Sequence, residues 1–138
     1  MTTTELAGII VPTTTPFDAH GDITFSAIAE QVDWLFECGV HGIAVGGSTG
    51  EGHSLASDEY AQLIETAVSS AKGRFPVIAG IITDSTRGSV RRGQLVRDMG
   101  VAALQVTPVH YLFRPDGDAT VEHFRILTEE TGMPVIIY

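Results

Sequence analysis

The sequence predicts an α/β protein with a parallel sheet, on three observations. Short apolar runs alternate with helical patterns from one end of the chain to the other. The alternation repeats at roughly 26–34 residues, the length of one βα unit. The apolar runs are nearly continuous, as expected of parallel strands covered on both faces. Five such strands suit two architectures: an open doubly wound sheet, and the first five strands of an eight-stranded barrel, which typically takes ~250 residues. In both, chemistry sits in the loops that follow the strands.

Gly8-Ile9-Ile10-Val11-Pro12 reads as the first strand, followed by the loop Thr13-Thr14-Thr15-Pro16-Phe17-Asp18. A helix starts near Thr24. Its residues Phe25, Ile28, Val32, Leu35 and Phe36 share one face, and Gly39 lies where a C-terminal cap belongs. Strand two is Gly42 to Val45. Helix two, opened by Ser57-Asp58-Glu59, buries Leu63, Ile64, Ala67, Val68 and Ala71 and stops by Gly73. Strand three is Pro76 to Ile81. Ser85 or Thr86 caps helix three, whose buried face includes Val90 and Val96, with Gly100 ending it. Strand four runs from Ala102 to Val106. Asp118 or Thr120 caps helix four, which buries Val121, Phe124 and Leu127, and strand five is Pro134 to Ile137, followed by Tyr138.

The 138 residues suffice for one domain with a real core, and no linker or low-complexity segment divides them. With 43% hydrophobic and 18% charged residues the composition is globular. A formal net charge of -9 argues against nucleic acid or an anionic membrane surface as partner. The single cysteine, Cys38, rules out an internal disulfide and suits a reducing compartment; late in a helical pattern, it reads as a buried, inert thiol. The first residues show no signal-peptide pattern, and no apolar run approaches the ~20 residues that span a bilayer. A cytoplasmic protein is expected.

The stretch with the most chemical content is Val45-Gly46-Gly47-Ser48-Thr49-Gly50-Glu51-Gly52-His53-Ser54-Leu55, between strand two and helix two. Its glycines allow backbone conformations that side chains forbid. They leave amides and the hydroxyls of Ser48 and Thr49 beyond the strand's carboxyl end, an arrangement suited to a small anion, carboxylate or phosphate.

Several stretches resemble, in order and at nearly the right spacing, the class I pyruvate-dependent aldolases and lyases related to dihydrodipicolinate synthase and N-acetylneuraminate lyase. Gly47-Ser48-Thr49-Gly50-Glu51 is similar to the family's G-[ST]-T-G-E signature, and Thr15-Pro16-Phe17 to its T-P-[FM] after strand one. Pro76-Val77-Ile78-Ala79-Gly80 resembles its third strand, Val106-Thr107-Pro108 the end of its fourth, and Met133 to Tyr138 the strand that ends in its catalytic tyrosine. The resemblance covers essentially the whole chain. It implies a (β/α)8 barrel, of which residues 1–138 supply about the first five strands and four helices, and usually a homotetramer.

The activity implied is condensation or cleavage of a 2-oxo acid such as pyruvate with an aldehyde through a lysine Schiff base, with no cofactor and no metal. Thr49 and the amides around it, at Gly47 and Gly50, would hold the carboxylate. Ser48 would relay protons between tyrosines, and Tyr138 would exchange them at the imine. The family's second tyrosine, which reaches a neighbouring subunit's site, corresponds to Tyr111, or to His110 in an ungapped alignment. The loop holding both, Val109 to Phe113 before Arg114-Pro115, is two residues longer than the family's Y-Y-N. The family's Schiff-base lysine lies on strand six. The only lysine here, Lys72, falls at the tail of helix two and reads as a solvated surface residue.

Other polar residues carry milder readings. Glu51 reads as a stabiliser of the turn and of the helix dipole rather than a general base. His53 stands at no metal-ligand spacing from another donor and reads as loop polarity or substrate-side packing. His20, His41 and His123 read as surface or loop residues, and Trp34 and Phe36 as core or interface. Asp84-Ser85-Thr86 reads as a helix cap. Arg114 either binds an acidic substrate or pairs with Asp116 or Asp118. The rival to the aldolase reading is a self-contained doubly wound domain whose Gly46–Gly52 loop holds an anion without covalent chemistry. Against it, the loop is neither of the common nucleotide-binding glycine patterns, and Glu51 would repel a phosphate.

Overall fold

The structure is a computed structural model that describes residues 6–109 and 114–138. Nine elements alternate along the chain: β1 (Ile10–Pro12), α1 (Phe25–Glu37), β2 (Gly42–Val45), α2 (Ser57–Ala71), β3 (Val77–Ile81), α3 (Thr86–Val96), β4 (Ala103–Val106), α4 (Gly117–Thr131) and β5 (Val135–Ile137). The strands form one sheet in the order β1-β2-β3-β4-β5, every neighbouring pair parallel. This order separates the two architectures. A doubly wound sheet reverses its strand order at a switch point; a barrel adds each strand beside the last. Here there is no reversal, so the sheet is the winding of a barrel, with the outer edges of β1 and β5 unpaired among the described residues.

Alternation along the strands builds two layers. Ile43, Val45, Val77, Ile81, Leu104 and Val106 face the helices and are almost wholly buried against Ile28, Val32, Leu63, Ile64, Val96 and Leu127. The other face is concave and thinly filled, with Ala44, Ile78 and Ala103 packed together and Ile10 and Ile136 beside them. Register puts Gly80 beside Gln105 and Gln105 beside Ile136 on this inner face. Among the described residues no helix is long and apolar enough to cross a membrane.

Helix ends follow local chemistry. Ser85 caps α3, its Oγ accepting from the Gly88 amide at 3.1 Å. The α4 cap is Asp116, which accepts from the Ala119 amide at 2.8 Å, and not Asp118 or Thr120. An acidic side chain just before the first turn satisfies an orphan N–H and faces the positive end of the dipole. Asp116 is thereby engaged, and among the described residues Arg114 pairs with neither Asp116 nor Asp118. Lys72 ends α2 in a left-handed conformation (φ 51°), exposed to solvent, at the end of the helix remote from the glycine-rich loop.

Three side chains, Val121, His123 and Cys38, sit otherwise than the sequence pattern places them. Val121 is 68% exposed and His123 is 4% exposed. At about 100° per residue, His123 lies about 40° round α4 from buried Leu127, while Val121 lies about 120° away. Cys38 is exposed, because it stands about 120° round α1 from buried Val32. Trp34 is 61% exposed and so is not part of the core. Phe36 is partly exposed and caps the α1–α2 seam, with its ring 6.1 Å from that of Phe75 and the Arg74 guanidinium 4.5 Å from its centroid.

Candidate active site

A cleft of about 320 Å³ opens on the concave face at the carboxyl ends of the strands. Its floor is apolar, from Ile10, Ala44, Ile78 and Ile136; its rim is polar, from Thr13, Gly47 to Gly50, Gln105, Thr107 and Tyr138. A second, more open cleft shares Ser48, Thr107 and Tyr138 and extends to His53, Thr83 and Asp84. Tyr138 and the Ser48 loop, ninety residues apart in sequence, thus face the same space.

The loop after β2 is held in place by glycine. A Cβ at Gly80 would stand 2.4 Å from the Gly47 nitrogen and 2.5 Å from its Cα, so the loop lies directly on β3. A Cβ at Gly52 would meet the Gly46 carbonyl oxygen at 1.8 Å, and one at Gly50 would meet the Thr13 oxygen at 2.9 Å. Gly46 takes a left-handed conformation (φ +69°) against the ring of Tyr60. Inside the loop, the amides of Glu51 and Gly52 donate to the carbonyls of Ser48 and Gly47, both at 3.1 Å. From the loop after β1, the buried Thr15 hydroxyl donates to the Gly50 carbonyl at 2.6 Å.

What remains unspent is chemically informative. The amides and hydroxyls of Ser48 and Thr49 donate to no acceptor among the described residues, and both side chains are exposed to the cleft. Two adjacent N–H groups and two hydroxyls at the carboxyl end of a parallel strand are donors of the kind that anions accept from. Tyr138 continues the sheet, its amide donating to the Val106 carbonyl at 3.0 Å, and it lines both clefts.

The sequence-predicted residues therefore divide. Gly47, Ser48, Thr49, Gly50 and Tyr138 converge on one cleft. Tyr111 and its alternative His110 lie outside the described residues. Glu51 turns the backbone (φ 54°), its carbonyl accepting from the amide and hydroxyl of Ser54 at 2.9 and 2.8 Å. The carboxylates at the α2 dipole are instead Asp58 and Glu59, and Glu59 accepts from the Ala56 amide at 2.8 Å. His53 is exposed on the rim of the second cleft.

Sequence reasoning missed the supports. Tyr60 is fully buried beneath the loop, its hydroxyl donating to the Gly80 carbonyl at 2.7 Å. Burial pushes this phenol far up, only partly opposed by the nearby Arg92 charge, so it stays a donor. A signal existed: Tyr60 precedes Leu63, Ile64 and Ala67 at helical spacing. His123 joins α4 to α3 through Nδ1 and the Thr86 hydroxyl, 2.9 Å apart. Burial holds its pKa below the usual histidine range, with the Thr107 backbone opposing.

Comparison with known proteins agrees with this geometry. The sequence model of the Dihydrodipicolinate synthetase family matches residues 5–138. The 4-hydroxy-tetrahydrodipicolinate synthase 1 of Halalkalibacterium halodurans is 35% identical over 135 residues, which are 97% of this chain and 45% of that protein. The crystal structure of a dihydrodipicolinate synthase from Bacillus anthracis superposes with a TM-score of 0.89 at 34% identity, covering 95% of this chain and 45% of that one. That of the Acinetobacter baumannii enzyme, complexed with pyruvate, gives 0.91 at 29% identity over 95% and 45%. The chain thus spans a little under half the length of these relatives. With its strands wound as in their barrels and the family pattern running from residue 5 to residue 138, the chain belongs to the dihydrodipicolinate synthetase family.

Proposed function

We propose that residues 1–138 are the N-terminal part of a single (β/α)8 barrel that condenses or cleaves a 2-oxo acid, pyruvate for preference, with an aldehyde. The observation that carries this reading is the pairing, over one cleft, of the unspent Ser48–Thr49 turn with the phenol of Tyr138. A relative of the same fold is complexed with pyruvate, a molecule with a carboxylate for the turn to hold.

In this reading the amides around Gly47 and Gly50 and the Thr49 hydroxyl hold the carboxylate. A lysine amine adds to the keto carbon, water leaves, and a protonated imine results. The imine draws electrons from the neighbouring carbon, which loses a proton and attacks the aldehyde carbon; cleavage runs the same steps backwards. Tyr138 supplies and removes protons at the imine, and Ser48 passes them on, toward a second tyrosine assigned to Tyr111. Lys72 is not assigned this role, because it ends α2 beside Asp33, Ser69 and Ser70 and lines neither cleft at the strand carboxyl ends. The amine is assigned to a sixth strand that follows residue 138 in the complete protein. A homotetramer in the cytoplasm is part of the same proposal.

The test is intact mass after incubation with pyruvate and borohydride, which reduces an imine to a stable adduct. A full-length product carrying one pyruvyl adduct supports the reading, and a 14.7 kDa chain that carries one would move the nucleophile to Lys72. A full-length protein with no adduct overturns it.

A further inference from the structure

We propose that Arg92, on α3, is a positioning residue that sets the Ser48–Thr49 turn over the cleft and thereby the affinity for the 2-oxo acid carboxylate. The inference rests on the aldolase reading above. Arg92 is half-buried between α3 and the segment that leads from the glycine-rich loop into α2. Its guanidinium donates through Nη1 to the Gly52 carbonyl and through Nη2 to the Leu55 carbonyl at 2.6 Å. The same group stacks on Tyr60, 4.6 Å from the ring centroid. Among the described residues no carboxylate pairs with it. Its charge is directed wholly at backbone carbonyls and an aromatic face, a combination that the planar five-donor fork of arginine makes and a lysine ammonium does not.

The contacts pass directly to the substrate-facing turn. Residues 51–56 belong to no helix or strand, so the Gly52 and Leu55 carbonyls have no ladder partner of their own. Gly52 packs so closely on Gly46 that no Cβ fits between them, and Gly47 rests on Gly80. Fixing Gly52 therefore fixes Gly46 and Gly47, and with them the amides that follow at Ser48 and Thr49. Tyr60 is the other jaw: its ring lies under Gly46 and its hydroxyl is tied to Gly80. A loop with this many glycines has more freedom to lose than most, and tenths of an ångström at the amides matter for anion binding. Arg92, forty residues from Gly52 in sequence, removes that freedom from outside the loop.

The experiment titrates pyruvate against borohydride-trapped adduct in the full-length protein, for the wild type, Arg92→Leu and Arg92→Lys, with thermal midpoints alongside. Arg92→Leu is expected to raise the half-saturating pyruvate concentration about tenfold, with the adduct at saturation reaching the wild-type level. Arg92→Lys, which keeps the charge but loses the fork that reaches both carbonyls at once, is expected to fall between the two. Half-saturation within about twofold of wild type in Arg92→Leu overturns the proposal, whatever its thermal midpoint does. Should Arg92→Leu not fold, Arg92→Lys together with Tyr60→Phe, which keeps the ring and removes the bond to Gly80, decides on the same criterion. A wild-type protein that takes no adduct at any pyruvate concentration overturns the aldolase reading and this inference with it, an outcome visible without any variant.

Discussion

The hydroxyl of Tyr60 donates a 2.7 Å hydrogen bond to the backbone carbonyl of Gly80, and so ties α2 to the strand on which the glycine-rich turn rests. Helix, strand and turn meet at one residue that has no side chain. Because burial drives the phenol well above its usual range, the bond is a fixed strut that does not titrate near neutrality.

Gly80→Ala in the full-length protein tests the seat of the turn. The added methyl would stand 2.4 Å from the Gly47 nitrogen, against backbone that cannot rotate away. A stability loss of about 1–3 kcal/mol is expected from such overpacking. Denaturant unfolding measures that loss, and adduct trapping should show weakened pyruvate binding in the same variant.

Thr49→Val keeps the side-chain shape and removes the hydroxyl. A hydrogen bond to a charged group is worth about 1.5–3 kcal/mol, so half-saturating pyruvate should rise about 10- to 100-fold, with Thr49→Ser close to wild type. Equal pyruvate dependence in Thr49→Val and wild type would remove Thr49 from the carboxylate site.

Tyr138→Phe leaves the ring over the cleft and takes away the proton. Turnover should drop about 10²- to 10⁴-fold, the range of general acid–base catalysis, with little change in melting temperature because the ring and its packing are kept. Steady-state rates of aldehyde condensation or cleavage provide the measurement.

His123 predicts a pH dependence of stability. Its pKa is lowered in the folded state, chiefly by burial, so the unfolded chain binds the proton first as pH falls. The stability it contributes is therefore complete above the unfolded value of about 6.5 and is lost as pH falls from there through the lower folded value. Urea unfolding at several pH values should show less acid-induced loss between neutrality and pH 5 in His123→Gln than in wild type.

Much of the site was legible because its parts are local. Gly47-Ser48-Thr49-Gly50 is a contiguous turn, and its glycines and hydroxyls single it out as a cleft-lining loop before any fold is known. Tyr138 was legible only through resemblance, since a strand-end tyrosine by itself reads as packing. The role of Gly80 was not read from the sequence, because what approaches its backbone, Gly47, comes from a different strand's loop. Arg92 was not legible at all, because its partners are backbone carbonyls far off in sequence, and a carbonyl carries no residue identity.

The sequence by itself determined the alternation of five strands and four helices, the place of the glycine-rich turn after β2, and the surface position of the lone lysine. These follow from apolar periodicity and from where glycine and capping residues fall, which are properties of neighbours along the chain. Only the tertiary structure decided between the two windings, through the unreversed order β1 to β5, because strand order is a matter of pairing across the sheet. It likewise decided which side of α4 is dry. Val121 and His123 stand about 160° apart round α4, and the packing of that helix covers the side that carries His123 and Leu127.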